Sequence, residues 1–303
     1  MLRTHGRYDY MPWPGRTPYT WPGERRLAVY LGVNLEHFAW GEGLGAELAP
    51  GGPQPDVLNY AWRDYGNRVG AWRLLELLEE LRLPATVLLN SAMYAYAPEL
   101  VAAHRARGDE IAGHGRTNSE RQSALPESEE RALVAEATAA ITRAEGVAPR
   151  GWLSPWIAES LATPDLLAEA GYCYTLNWCA DDAPIWHRTR HRPLLAVPYP
   201  QEVNDIPSIV ARKDGARQFA DMIVDDFDER MRQVRDGLPQ VMGIALHPYI
   251  VGQPYRMRAL RHALAHVAAG GAWIATAGAV FDHVAALPPG TVPGCPRAGE
   301  VAA

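Results

Sequence analysis

Three stretches place chemically capable side chains directly after an apolar, β-rich run. VNLEHF sets Glu36 and His37 behind residues 27–33, EIAGHGRTNS sets His114, Arg116 and Asn118 behind 110–113, and ALHPY sets His247 behind 241–246. A partly buried carboxylate at a strand end, within reach of a water, is suited to general-base work, so Glu36 is the candidate base. An imidazole titrates near neutrality and can protonate a departing nitrogen, which makes His247 the candidate acid. His114, with His37, would polarise a carbonyl, and Gly113 and Gly115 on either side would let the backbone turn tightly and approach a ligand. Each residue also has a plainer reading. Glu36 could cap the next segment, His37 could pack or face water, Thr117 and Asn118 could cap a helix, and His247 could be a core histidine.

Other strand ends add Ser154 and Trp156, Asp181 and Asp182, and Asn204 and Asp205. Asp181, Asn204 and Asp205 could accept hydrogen bonds from substrate N–H groups, or simply cap turns and helices. Trp156, Trp178 and Trp186 could wall a pocket. Arg116 or Arg150 could orient a carbonyl or pair with Asp181. The remaining histidines (His5, His104, His187, His191, His262, His266 and His283) fall on helix faces or loops and read as solvated or core residues.

The elements that must position these side chains alternate along the chain. Strand-like runs at 27–33, 85–90, 110–113, 150–153, 172–176, 194–197, 241–247 and 272–276 alternate with helical patterns at 69–81, 98–107, 127–145, 163–170, 218–235 and 257–268. In the 69–81 helix, Val69, Trp72, Leu75 and Leu78 fall at helical spacing. Thr163 and Pro164 read as N-cap and N1, with Gly171 as the stop. This rhythm predicts parallel strands joined by helical crossovers, with the working residues past the C-terminal strand ends. The first 26 residues, rich in Pro, Gly, Trp and Tyr, read as an irregular arm, and 41–64 as a long irregular loop.

Composition narrows the function classes. A net charge of −6 without a basic run argues against nucleic acid. No 18-residue apolar stretch predicts a membrane span, and the N-terminus lacks an export h-region. Cys173, Cys179 and Cys295 are an odd number without CxxC spacing, and Cys173 and Cys179 are expected as buried thiols, which fits a reducing cytoplasm. No GxGxxG or P-loop opens a helix, so nucleotide binding has little support. The partner expected is a small molecule. The aromatic arm and the 41–64 loop further suggest a homo-oligomer.

LEHF, HGRTN, RGWLSPW and IALH, in this order, resemble the motifs of the NodB-like polysaccharide deacetylases. YGNRVGAWRLLELLEE, DEIAGHG, YTLNWCADDAPIW, VPYPQEVNDI and IALHPYIVGQPYRMRAL are similar to the allantoinase-like branch, which opens cyclic amides. The resemblance runs from about residue 20 to 285. It implies an α/β fold, a distorted (β/α) barrel over 27–287, with residues 1–26 as the arm and 288–303 as a flexible tail. It implies that Glu36 matches the base position, His247 the acid, and His37, His114 and Asn118 the metal-ligand positions. His37 stands where the family has an acid and Asn118 where it has histidine, and amide oxygen is a poor zinc ligand. The implied cofactor therefore stays open between zinc or another divalent ion and none. The function expected is hydrolysis of a small cyclic amide, imide or ureide. The alternatives are a metal-dependent N-acetyl or polysaccharide deacetylase and a non-catalytic ligand-binding relative.

Overall fold

A computed structural model describes residues 3–42 and 45–294. Nine strands form one sheet: β1 (Leu27–Leu35), β2 (Thr86–Leu89), β3 (Glu110–Gly113), β4 (Gly151–Trp152), β5 (Tyr174–Thr175), β6 (Ile185–His187), β7 (Leu194–Ala196), β8 (Gln240–Leu246) and β9 (Trp273–Ala275). Their order is β6-β7-β5-β4-β3-β2-β1-β8, with β9 paired to the first half of β1. Every pairing is parallel except β6 with β7, a hairpin-like edge with no counterpart in the sequence reading. Between β7 and β8 the sheet is bridged by an irregular segment, where Asn204 pairs with Ala245 and the Ala245 amide donates to Val203 O at 3.1 Å. The result is a distorted (β/α) barrel, closed on this side by loop rather than strand.

Strand alternation sorts the side chains. Along β1, Leu27, Val29, Leu31, Val33 and Leu35 pack outward against the helices, while Ala28 and Tyr30 join the second cluster inside the barrel. Leu88 on β2, Ala112 on β3 and Val241 and Ala245 on β8 also face inward. Extending this parity past the strand ends points Glu36, Asn90, His114 and His247 at the interior and turns His37 away.

The opposite end of the barrel is plugged. Trp21 of the arm is buried, stacks on Trp273 at 5.6 Å and donates from Nε1 to Gln240 O at 3.0 Å. The helix Ala277–Ala285, which the sequence reading missed, packs Ala277, Val280 and Val284 against the same cluster. Only the end carrying the C-terminal strand termini is left for chemistry.

Several local expectations need correction. The helix read over 69–81 is longer: Val57–Tyr65 continues through a π turn, Gly66–Gly70, into Ala71–Glu80. Its buried residues are Ala71, Leu74, Leu75, Leu77 and Leu78, and Trp72 is exposed. The 41–64 loop therefore contains helix in its last part. Thr163 is the first helical residue rather than the cap, since its hydroxyl accepts from Ser160 N and donates to the buried Glu130. Cys179 is exposed and Cys173 only half-buried; Cys295 and the tail from 295 to 303 lie outside the described residues. Among the described residues no helix is long and apolar enough to cross a membrane.

Candidate active site

β1 ends on the apolar Leu35 and delivers the buried Glu36 to the mouth of the barrel. The π turn supports it from one side. Asn67 Nδ2 donates to the Glu36 backbone carbonyl at 2.8 Å, and single-turn π insertions of this kind recur at functional sites. Gly70 makes the approach feasible, because a Cβ there would stand 2.2 Å from Pro248 O, just past His247. β3 ends at His114. Gly115 follows with φ +68°, and a Cβ on it would come within 2.8 Å of Pro155 Cγ, so the tight turn expected from the glycine pair is real at this position.

The side chains converge on one oxygen. Glu36 Oε1 accepts from Asn118 Nδ2 at 2.8 Å, lies 3.3 Å from His114 Nε2 and 3.7 Å from His247 Nε2. Both imidazoles are anchored from behind. His114 Nδ1 donates to Leu153 O at 2.7 Å, and His247 Nδ1 donates to Asp205 Oδ1 at 2.6 Å. The other Asp205 oxygen accepts from the His247 backbone amide at 2.7 Å. Since each Nδ1 is committed to an acceptor, each Nε2 is the atom that faces the cavity. Glu36 Oε2 is buried and has no hydrogen-bond partner among the described residues. It is the one carboxylate oxygen here that a water can use.

Burial works against a charged His247, but the carboxylates of Asp205 and Glu36 outweigh it and hold its pKa above the ordinary histidine value. The charged form of this ring is thus favoured more than in an ordinary histidine.

Leu153, Trp156, Ile157, Tyr199, Gln201 and Ile206 complete the wall of a cavity of about 200 Å³. Trp156 holds a left-handed backbone, φ +64°, and donates from Nε1 to Asn118 O at 3.0 Å. Such a conformation costs a non-glycine residue about 1–3 kcal/mol and is characteristic of sites that need a side chain aimed one way. Among the described residues no Lys or Arg lines the cavity. A larger groove of about 890 Å³ lies between the helices Ala216–Gln233 and Pro254–Ala269, but no comparable set of acid and imidazole groups converges in it.

Of the residues singled out from sequence, the structure brings together Glu36, His114, Asn118, Trp156, Asn204 and His247. Asp205 adjoins them from behind His247, so it positions the imidazole rather than touching a ligand. Asn204 lines the cavity with both amide ends occupied, donating to Pro200 O and accepting from Ile206 N. Four expectations are corrected. His37 is turned outward by strand parity, its ring 4.7 Å from Tyr96. Arg116 pairs with Glu120 and Glu136 outside the cavity. Asp181 is held by Arg16, and Asp182 by Arg230, in a separate acidic hollow. Arg150 pairs with Asp282. Of the tryptophans, Trp186 is buried against Phe281, and Trp178 donates to Glu159 beneath the arm. Asn34, which precedes Glu36 at the end of the same apolar run and shares its parity, also lines the cavity. Tyr199 and Gln201 were missed; they lie in a loop whose path no periodicity reveals.

Comparison with known proteins bears on the fold as a whole. Residues 59–175 match the polysaccharide deacetylase family. A "Putative polysaccharide deacetylase" of Schizosaccharomyces pombe is 28% identical over 295 residues, spanning 88% of this chain and 90% of its own. A solved structure of a "probable Polysaccharide deacetylase" from Pseudomonas aeruginosa PAO1 superposes with a TM-score of 0.75 at 26% identity, covering 87% of this chain and 92% of its own. The crystal structure of Puue allantoinase superposes with a TM-score of 0.77 at 24% identity, over 91% and 97%, which speaks for the fold.

The divalent ion typical of the family finds no matching donor set. His37 points away, and Asn118 turns its amide nitrogen, which cannot ligate, toward Glu36. Among the described residues no three His, Cys, Asp or Glu side chains are arranged to hold a metal. The expected trio His37, His114 and Asn118 is therefore not a coordination site in this geometry.

Proposed function

We propose that the protein is a hydrolase of carbon–nitrogen bonds other than peptide bonds that opens a small cyclic amide, imide or ureide. The observation that carries this reading is the convergence of the anchored imidazoles of His114 and His247 on Glu36, whose second oxygen is buried and unpartnered among the described residues. Asn118 and His114 fix Oε1 and leave Oε2 to take a proton from water. The water oxygen bonds to the substrate carbonyl carbon, and the carbonyl electron pair moves onto oxygen. When the C–N bond breaks, the electron pair goes to nitrogen, which takes the proton from His247 Nε2. The proton gained by Glu36 restores His247 across the short gap between them, and the ring opens to a single product that carries the freed amine, amide or urea nitrogen at one end and a carboxylic acid, which releases its proton to solvent, at the other.

The cavity supports a small, neutral substrate. At about 200 Å³ it holds a single ring rather than a run of sugars, and no Lys or Arg stands among its described lining residues. The name of the superposing allantoinase points to the same class. Purified protein assayed on hydantoin, allantoin and succinimide should turn over at least one ring. Glu36→Gln should abolish that activity, and failure of the wild type on the whole panel would sink the reading. Full activity of Glu36→Gln would remove Glu36 as base.

A further inference from the structure

The polar groups on the cavity wall are nearly all occupied by one another. Asn34 Nδ2 donates to Tyr199 OH at 3.0 Å and to Leu246 O at 3.3 Å. Tyr199 OH in turn donates to Asn34 Oδ1 at 3.4 Å. Asn118 is spent on Glu36, with its oxygen 3.5 Å from Asn90 Nδ2, and both ends of Asn204 serve the loop. Gln201 differs. It is exposed, lines both this cavity and the neighbouring acidic hollow, and its side-chain amide makes no hydrogen bond to any described residue.

Resting on the hydrolase reading, we infer that Gln201 is a specificity residue that recognises the cis-amide edge of a ring substrate. A primary carboxamide presents one N–H and one C=O side by side. A lactam, imide or ureide ring forces its own amide to be cis, so its N–H and C=O also lie on one edge. The two edges pair through two parallel hydrogen bonds. An acyclic acetamido group is trans, with N–H and C=O on opposite sides, and can engage Gln201 through only one of them at a time. Gln201 thereby separates ring amides from N-acetyl groups by shape of the amide rather than by size or charge.

The experiment compares wild type and Gln201→Ala on hydantoin, succinimide and N-methylsuccinimide, reading kcat and KM separately. Binding of the same rings to Glu36→Gln and to Glu36→Gln/Gln201→Ala is followed by calorimetry. Losing two neutral hydrogen bonds should raise KM for hydantoin and succinimide about tenfold with little change in kcat, and weaken calorimetric binding equally. N-methylsuccinimide, whose edge cannot donate, should bind the two backgrounds alike. A ring affinity changed less than twofold by Gln201→Ala would overturn the assignment. So would an equal loss for the N-methyl ring, which would indicate general damage to the pocket. Absence of turnover by the wild type would sink the hydrolase reading alone, because calorimetry still decides whether Gln201 reads the ring edge.

Discussion

Asp205 and His247 form the tightest pair in the cavity, and their separate duties can be tested through pH. His247 keeps its proton above the usual histidine range because the two carboxylates outweigh burial. Its stabilising contribution is therefore complete below the unfolded value and is lost as pH rises through the raised folded value. In Asp205→Asn one of those carboxylates is gone and burial gains ground, so the pKa falls. The alkaline limb of the kcat profile should move to lower pH, and kcat at neutral pH should fall about a hundredfold if the imidazolium is the acid. An unmoved limb would show that another group protonates the leaving nitrogen. The ring remains held by its own packing, including Tyr249 at 5.7 Å, so the variant should still fold.

At the scale of elements, the long helix keeps part of the face read from sequence and loses part. Apolar spacing predicts Trp72, Leu75 and Leu78 inward; Leu75 and Leu78 are buried, but the buried face runs through Ala71, Leu74 and Leu78 and leaves Trp72 outside. Leu74 becomes fully buried and Trp72 lies at 37% exposure. Leu74→Ala should cost about 2–5 kcal/mol in urea unfolding, and Trp72→Ala less than about 1 kcal/mol. Equal losses would mean that the helix sits in the phase read from sequence. The π turn ahead of Ala71 carries Asn67 to Glu36 and so supports the site.

Across the whole molecule, the arm is fastened to the barrel through an unusual histidine. His187, on β6, is fully buried with neither ring nitrogen bonded among the described residues. Tyr8 stacks on it at 5.3 Å and Trp178 meets it edge-on at 5.1 Å. Burial first, then the positive charges of Arg7 and His5, push its pKa down to about 3. Unfolding lets the ring take up a proton below its unfolded value, so this group withdraws stability as pH falls from about 6.5 toward the folded value. His187→Phe keeps the ring packing and removes the titration. It should gain about 2 kcal/mol relative to wild type on going from pH 8 to pH 5, read by denaturant unfolding at both values. An unchanged difference would place the acid sensitivity elsewhere.

The amino-acid sequence by itself determined the strand and helix alternation, the C-terminal strand ends as the working end, and Glu36, His114 and His247 as residues to watch. These are local signals of periodicity and position, and the side chains they mark do meet in one cavity. Strand parity was equally legible and would have turned His37 outward had it been carried two residues beyond β1. Only the tertiary structure decided which polar groups were still available. Arg116, Asp181 and Arg150 are consumed by ion pairs with residues distant in the chain or on other turns, and Asp205 is consumed by His247. Gln201 carries no sequence signal, because being uncommitted is a property of its neighbours. A hydrogen-bond donor joins a site when nothing nearby has already claimed it, and that depends on the folded chain.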